Sequence, residues 1–150
     1  MPDLPEVSFH FNAPDRLVYA CRLLRKAHRQ GASVLVWADE PLASELDQHL
    51  WTWMATEFVP HVRDDALPWV LARTPIVIRS ADAVGTSHVP APVLVNLRDA
   101  WPQGFERFAR VIEVVTRDPV VRDLARERWR RYKSQGIEPK HLDLQAMAVG

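Results

Sequence analysis

Glycine is scarce in this chain of 150 residues. There are five, Gly31, Gly85, Gly104, Gly136 and Gly150, and no two lie close together. Dinucleotide fingerprints and P-loops need clustered glycines to bring backbone N–H groups up to a phosphate, so neither motif can be written here. An enzyme working on nucleotides is therefore a poor fit. Cysteine is scarcer still. The single thiol, Cys21, allows no internal disulfide and no cysteine-based zinc cluster. Its position on the inward face of a helix predicts a buried structural thiol rather than a nucleophile. No apolar run approaches the roughly 20 residues of a membrane span, and the N-terminus lacks a signal-peptide pattern, so a cytoplasmic protein is expected. Net charge is missing too, 19 Lys and Arg being balanced by 19 Asp and Glu. Coating of nucleic acid by bulk charge is not expected of such a chain.

What the chain does have is an uneven placement of those charges. Residues 117–133 hold seven Arg or Lys against three Asp or Glu, a local +4, while the rest hold twelve against sixteen, or −4. The segment reads as a helix. Asp118 is a good N-cap, Pro119 suits the first helical position, and Gly136 with Pro139 beyond it marks the end. At about 100° per residue, Val121, Leu124, Ala125 and Tyr132 share a face expected to meet the core. Arg122, Arg126, Trp129 and Lys133 form a second stripe, three cations around one large ring. That stripe suits an anionic, partly apolar partner. Arg128 falls near the apolar face and is expected to snorkel or to pair with a carboxylate.

The remaining pattern alternates strands and helices. Strands are predicted at residues 6–12, 33–38, 75–79, 92–97 and 110–115, from alternating or continuous apolar runs. Helices are predicted over Pro14–Gln30, closed by Gly31, and from Asp39 to about Met54, with a short helical piece around Phe105–Arg107. Thr56 to Thr74 resists assignment because Pro60, Pro68 and Asp64-Asp65 break every period. A loop with Gly85 and Pro90 follows, and the tail from about Glu138 is expected to lie loose. This order argues for one α/β domain over residues 1–150, a three-layer, Rossmann-like, largely parallel sheet flanked by helices.

No catalytic set emerges. The six histidines, His10, His28, His49, His61, His88 and His141, are scattered without a metal-ligand spacing. Ser44, Ser80 and Ser87 lie in no nucleophile elbow, and Asp64-Asp65 reads as a solvated turn. No metal and no cofactor is expected. Trp51, Trp53, Met54 and Phe58 gather at and beyond the end of the second helix. Trp51 lies off the Leu42/Leu46/Leu50 stripe, where it serves either core packing or a protein surface.

Several segments together resemble the chi subunit of bacterial DNA polymerase III. They are Leu50-Trp51, Glu57-Phe-Val-Pro-His61, the Val93-Leu-Val-Asn-Leu97 and Val114-Val115 strands, and Leu124-Ala-Arg-Glu-Arg128 followed by an aromatic and a basic residue. The likeness runs from about residue 6 to 136. It implies a non-catalytic accessory subunit of the clamp loader that binds a small partner subunit, psi, and the acidic C-terminal tail of single-stranded-DNA-binding protein. By the same resemblance Arg122, Arg126 and Trp129 hold the tail, while Trp51 and Phe58 face the partner subunit; the helix stripe itself adds Lys133 to the tail-binding set. The connection between the Val115 strand and the last helix is shorter than in the family pattern, and the segment after His61 lacks a glycine-rich loop. Two rival readings predict different chemistry: a module that binds single-stranded nucleic acid through the basic helix, and a small-molecule enzyme with a cleft at the carboxyl ends of the strands.

Overall fold

A computed structural model describes residues 4–52, 59–80 and 92–147. In chain order these form β1 (Glu6–Ala13), α1 (Arg16–Arg29), β2 (Val34–Trp37), α2 (Leu42–Thr52), β3 (His61–Arg63), α3 (Pro68–Arg73), β4 (Ile76–Arg79) and β5 (Val93–Asn96). A single 3-10 turn at Phe105–Arg107 leads into β6 (Arg110–Thr116), α4 (Pro119–Ser134), β7 (Lys140–Asp143) and α5 (Leu144–Met147). The strands make one seven-stranded sheet in the order β3-β4-β2-β5-β6-β1-β7. Every pairing in it is parallel. Parallel neighbours need crossovers, and the helices supply them: α1 carries the chain from β1 over β6 and β5 to β2, and α4 carries it from β6 over β1 to β7. No helix among the described residues is long and apolar enough to cross a membrane.

Period-two alternation divides the core between the sheet faces. Val34 and Val36 of β2, with Ile76, Ile78, Val95, Ile112 and Val114, meet Ala20, Cys21 and Leu24 of α1 and Ala43, Leu46 and Leu50 of α2. Leu35 and Trp37, with Val7, Phe9, Val77, Leu94, Val111 and Val115, meet Ala125 and Tyr132 of α4 on the opposite face. β2 is buried at all four positions, as its unbroken apolar run requires. Cys21 is fully buried, and burial pushes its thiol up to about 11, far from thiolate chemistry.

The helix ends follow their local chemistry. Asp15 caps α1 by accepting from the Val18 N–H, and Asp118 caps α4 by accepting from Val120 and Val121. Gly31 (φ +74°) and Gly136 (φ +87°) close those helices in the left-handed conformation. In both, the glycine N–H and the next residue's N–H turn back onto carbonyls of the last helical turn, at 2.9–3.1 Å.

Three expectations are corrected. The unassigned stretch contains the short edge strand β3 and the helix α3; a three-residue strand between prolines carries too few residues to show a period. The tail is not loose: Lys140–Asp143 extends the sheet as β7, in register with Ser8–Phe11 of β1. Leu124 is 36% exposed rather than inward. The buried stripe of α4 is Ala125, Arg128 and Tyr132, because a polar network beneath the helix sets its rotation. Trp53, Met54, Phe58 and the loop with Gly85 and Pro90 lie outside the described residues.

Candidate functional site

α4 is locked onto the sheet by charge rather than by hydrophobicity alone. The carboxylate of Glu113 on β6 is wholly buried and receives Nε of Arg128 at 3.2 Å, Nδ2 of Asn96 at 2.9 Å and the hydroxyl of Tyr132 at 2.9 Å. Arg128 also donates to the Asp99 carbonyl at 2.6 Å, so it spans β6 and the turn after β5. Burial raises the Glu113 carboxyl above its ordinary value, while the Arg128 guanidinium and the three donors oppose that rise. Trp101 adds a ring 4.5 Å from Tyr132, and the Arg131 guanidinium lies 4.2 Å above Trp101. Arg128 is thus a paired structural residue.

With the helix fixed in this rotation, the stripe that carries Arg122, Arg126 and Trp129 overhangs a cleft of about 240 Å³. The floor is the sheet face, built from Phe9 and Phe11 of β1, Val115 of β6 and His141 of β7, with Ala125 of α4 behind them. Phe9 and Phe11 point the same way because they are two residues apart on one strand. Trp129 packs against Phe9 at 5.1 Å between ring centroids, which fixes the indole as a wall. Both arginines are exposed at the mouth. Arg126 touches Asp123 at 3.4 Å, but side chains 64% and 74% exposed make that pair worth at most about 1 kcal/mol, so Arg126 can exchange it for an incoming anion.

The arrangement offers an apolar floor of aromatic and aliphatic groups, with two guanidinium forks at its rim. A cavity of roughly 150 Å³ holds a benzene ring. The present cleft therefore fits one aromatic side chain and the group next to it, and is smaller than the ~300 Å³ at which drug-sized ligand sites begin.

Of the predicted stripe, Arg122, Arg126 and Trp129 line this cleft and Lys133 does not. It lies one turn further along α4, 3.8 Å from Glu138. Phe9, Phe11, Val115 and His141 are not assigned to this site by the sequence. The alternation of Phe9 and Phe11 held a signal, but only the sheet order shows which helix faces them. Trp51, at the end of α2, is 57% exposed with its ring 4.7 Å from buried His61. It therefore lies on a separate surface from the cleft, and Phe58 lies outside the described residues.

Comparison with known proteins adds to this geometry. Residues 4–140 match the family model described as "DNA polymerase III chi subunit, HolC". A DNA polymerase III subunit chi from Pseudomonas aeruginosa is 38% identical over 122 residues, covering 81% of each chain. The proteins of that name from Haemophilus influenzae and Escherichia coli are 32% and 29% identical, covering 78% and 84% of this chain and 79% and 82% of their own. Among solved structures, the C-terminal domain of the DEAD-box protein Dbp5 superposes with a TM-score of 0.62 at 14% identity, over 96% of this chain and 92% of that one. At that identity the likeness concerns the α/β fold alone.

Proposed function

We propose, from the premise that this chain belongs to the chi-subunit family of DNA polymerase III and so serves replication as a non-catalytic accessory subunit, that it is an adaptor for an acidic peptide. The peptide is the C-terminal tail of single-stranded-DNA-binding protein, and the other side of the adaptor meets the clamp loader through a psi-type subunit. One observation carries the reading: a cleft with an aromatic floor and two exposed arginines at its mouth. A tail ending in an aromatic residue presents a ring and a carboxylate side by side. The ring fits against Phe9, Phe11 and Trp129, and a guanidinium fork takes the carboxylate bidentately. Lys133, outside the cleft, steers the acidic approach through its field. Several tails on one oligomeric partner raise the effective concentration and offset a modest affinity for each.

The partner-subunit surface is proposed at Trp51 and Phe58. Its support is the 57% exposure of Trp51 on a helix that otherwise turns Leu46 and Leu50 inward.

Calorimetric titration tests the tail reading. An acidic peptide with a C-terminal phenylalanine should bind wild type with micromolar affinity and bind Arg126→Ala far more weakly. Equal binding to both proteins overturns the assignment. Binding of bare single-stranded DNA as tight as that of the peptide would favour the basic helix as a nucleic-acid module instead.

A further inference from the structure

β7 brings to the cleft a side chain that the helix stripe does not contain. His141 sits opposite Phe9 in the β1–β7 register, its ring 6.0 Å from Phe11 and 6.1 Å from Trp129. Those two contacts hold the imidazole in the floor, and its exposure leaves an edge open to the cleft. Among the described residues its ring meets Phe11 of β1 and Trp129 of α4, while Arg122 and Arg126 line the same cleft, with Asp123 beside Arg126. On its own strand, Asp143 accepts from Asn12 at 2.9 Å and Lys140 reaches Glu6 at 3.0 Å. An exposed imidazole lining the cleft brings N–H groups within the space beneath the arginines, where an anion would lodge.

We infer that His141 is a specificity-determining residue of the cleft. Its imidazole donates a hydrogen bond to a carboxylate of the docked peptide. The inference rests on the peptide reading above. It adds a donor from the sheet to the two from the helix, so the carboxylate is gripped from two sides. A ring that lacked N–H groups would supply the wall but not the grip.

The experiment titrates a synthetic acidic peptide with a C-terminal phenylalanine into wild type, His141→Gln and His141→Phe under one set of conditions. Wild type should bind about three- to tenfold more tightly than His141→Phe, which keeps the ring packing but loses the donor, a gain suited to a charge-assisted bond at an exposed rim. His141→Gln keeps an N–H donor and should recover part of that difference, with circular dichroism confirming that both variants stay folded. If His141→Phe binds as tightly as wild type, the role given to His141 is overturned while the tail reading stands. Failure of wild type itself to bind the peptide removes the tail reading.

Discussion

Arg128 and Glu113 face each other at 3.2 Å with side chains 4% and 0% exposed, so the rotation of α4 over the sheet depends on a buried ion pair. A buried pair is expensive to form, because both ions leave water, and more expensive to break, because the survivor is stranded.

Arg128→Ala is expected to destabilise the fold by about 3–5 kcal/mol, since Glu113 then lies buried with its countercharge gone. The double change Glu113→Gln with Arg128→Met should cost clearly less than the sum of the single changes, because neither partner is stranded. Urea unfolding monitored by circular dichroism reads this from the midpoint at constant slope. Single changes costing under about 1 kcal/mol would show that the pair does not set the helix rotation.

In the cleft, the two arginines and Lys133 should separate by kinetic signature. Arg126→Ala removes a charged hydrogen bond worth roughly 1.5–3 kcal/mol and should weaken the acidic peptide about ten- to a hundredfold, mainly through dissociation. Lys133→Ala, outside the cleft, should act through the association rate and the salt dependence. Stopped-flow binding at two ionic strengths distinguishes them. A dissociation-rate effect for Lys133→Ala equal to that for Arg126→Ala would place Lys133 inside the contact.

Trp51→Ala should leave unfolding free energy nearly unchanged, because the ring is more than half exposed. Binding of a psi-type partner should fall in the same variant, with Phe58→Ala behaving alike. A stability loss above about 3 kcal/mol for both would make them core residues and remove the proposed surface.

Acid should loosen the fold through His10. Burial, reinforced by the charges of Arg110 and Lys26, holds its imidazole down to about 4, and its Nδ1 pairs with the hydroxyl of Tyr19. Burial pushes that phenol up to about 12, so the hydroxyl stays protonated beside the neutral ring. A folded-state value below the unfolded one of about 6.5 means that the unfolded chain takes up the proton first. The contribution of His10 is therefore intact above about pH 6.5, is lost as pH falls toward about 4, and levels off below that. Unfolding midpoints measured across this window should fall less steeply for His10→Gln. An identical slope in wild type and variant would mean that other groups carry the acid sensitivity.

The central strands and both long helices were legible because their periods are long and undiluted. Val34–Trp37 is apolar throughout, and α4 carries a cap at each end. The edges were not legible. Lys140-His-Leu-Asp143 follows a proline and has a single apolar residue, and it is a strand only because β1 offers it a partner. The inward placing of Leu124 failed for a related reason: hydrophobicity favoured it, but the carboxylate of Glu113 draws Arg128 under the helix and turns Leu124 out. The arginine and tryptophan side of the cleft could be read from one helix. Its floor could not, since it combines residues from three strands far apart in the chain.

That separation has a consequence for how the binding site comes into being. Asn12 and Asp143, which tie β1 to β7 beside the cleft floor, are 131 residues apart in sequence. Loop-closure entropy opposes such a contact until the intervening sheet has condensed, and pairings of high sequence separation slow folding. β1 can pair with β6 independently of β7, but the floor stays open on that side until β7 docks. The proposed peptide cleft is thus complete only once β7 has docked, after the sheet that supports it.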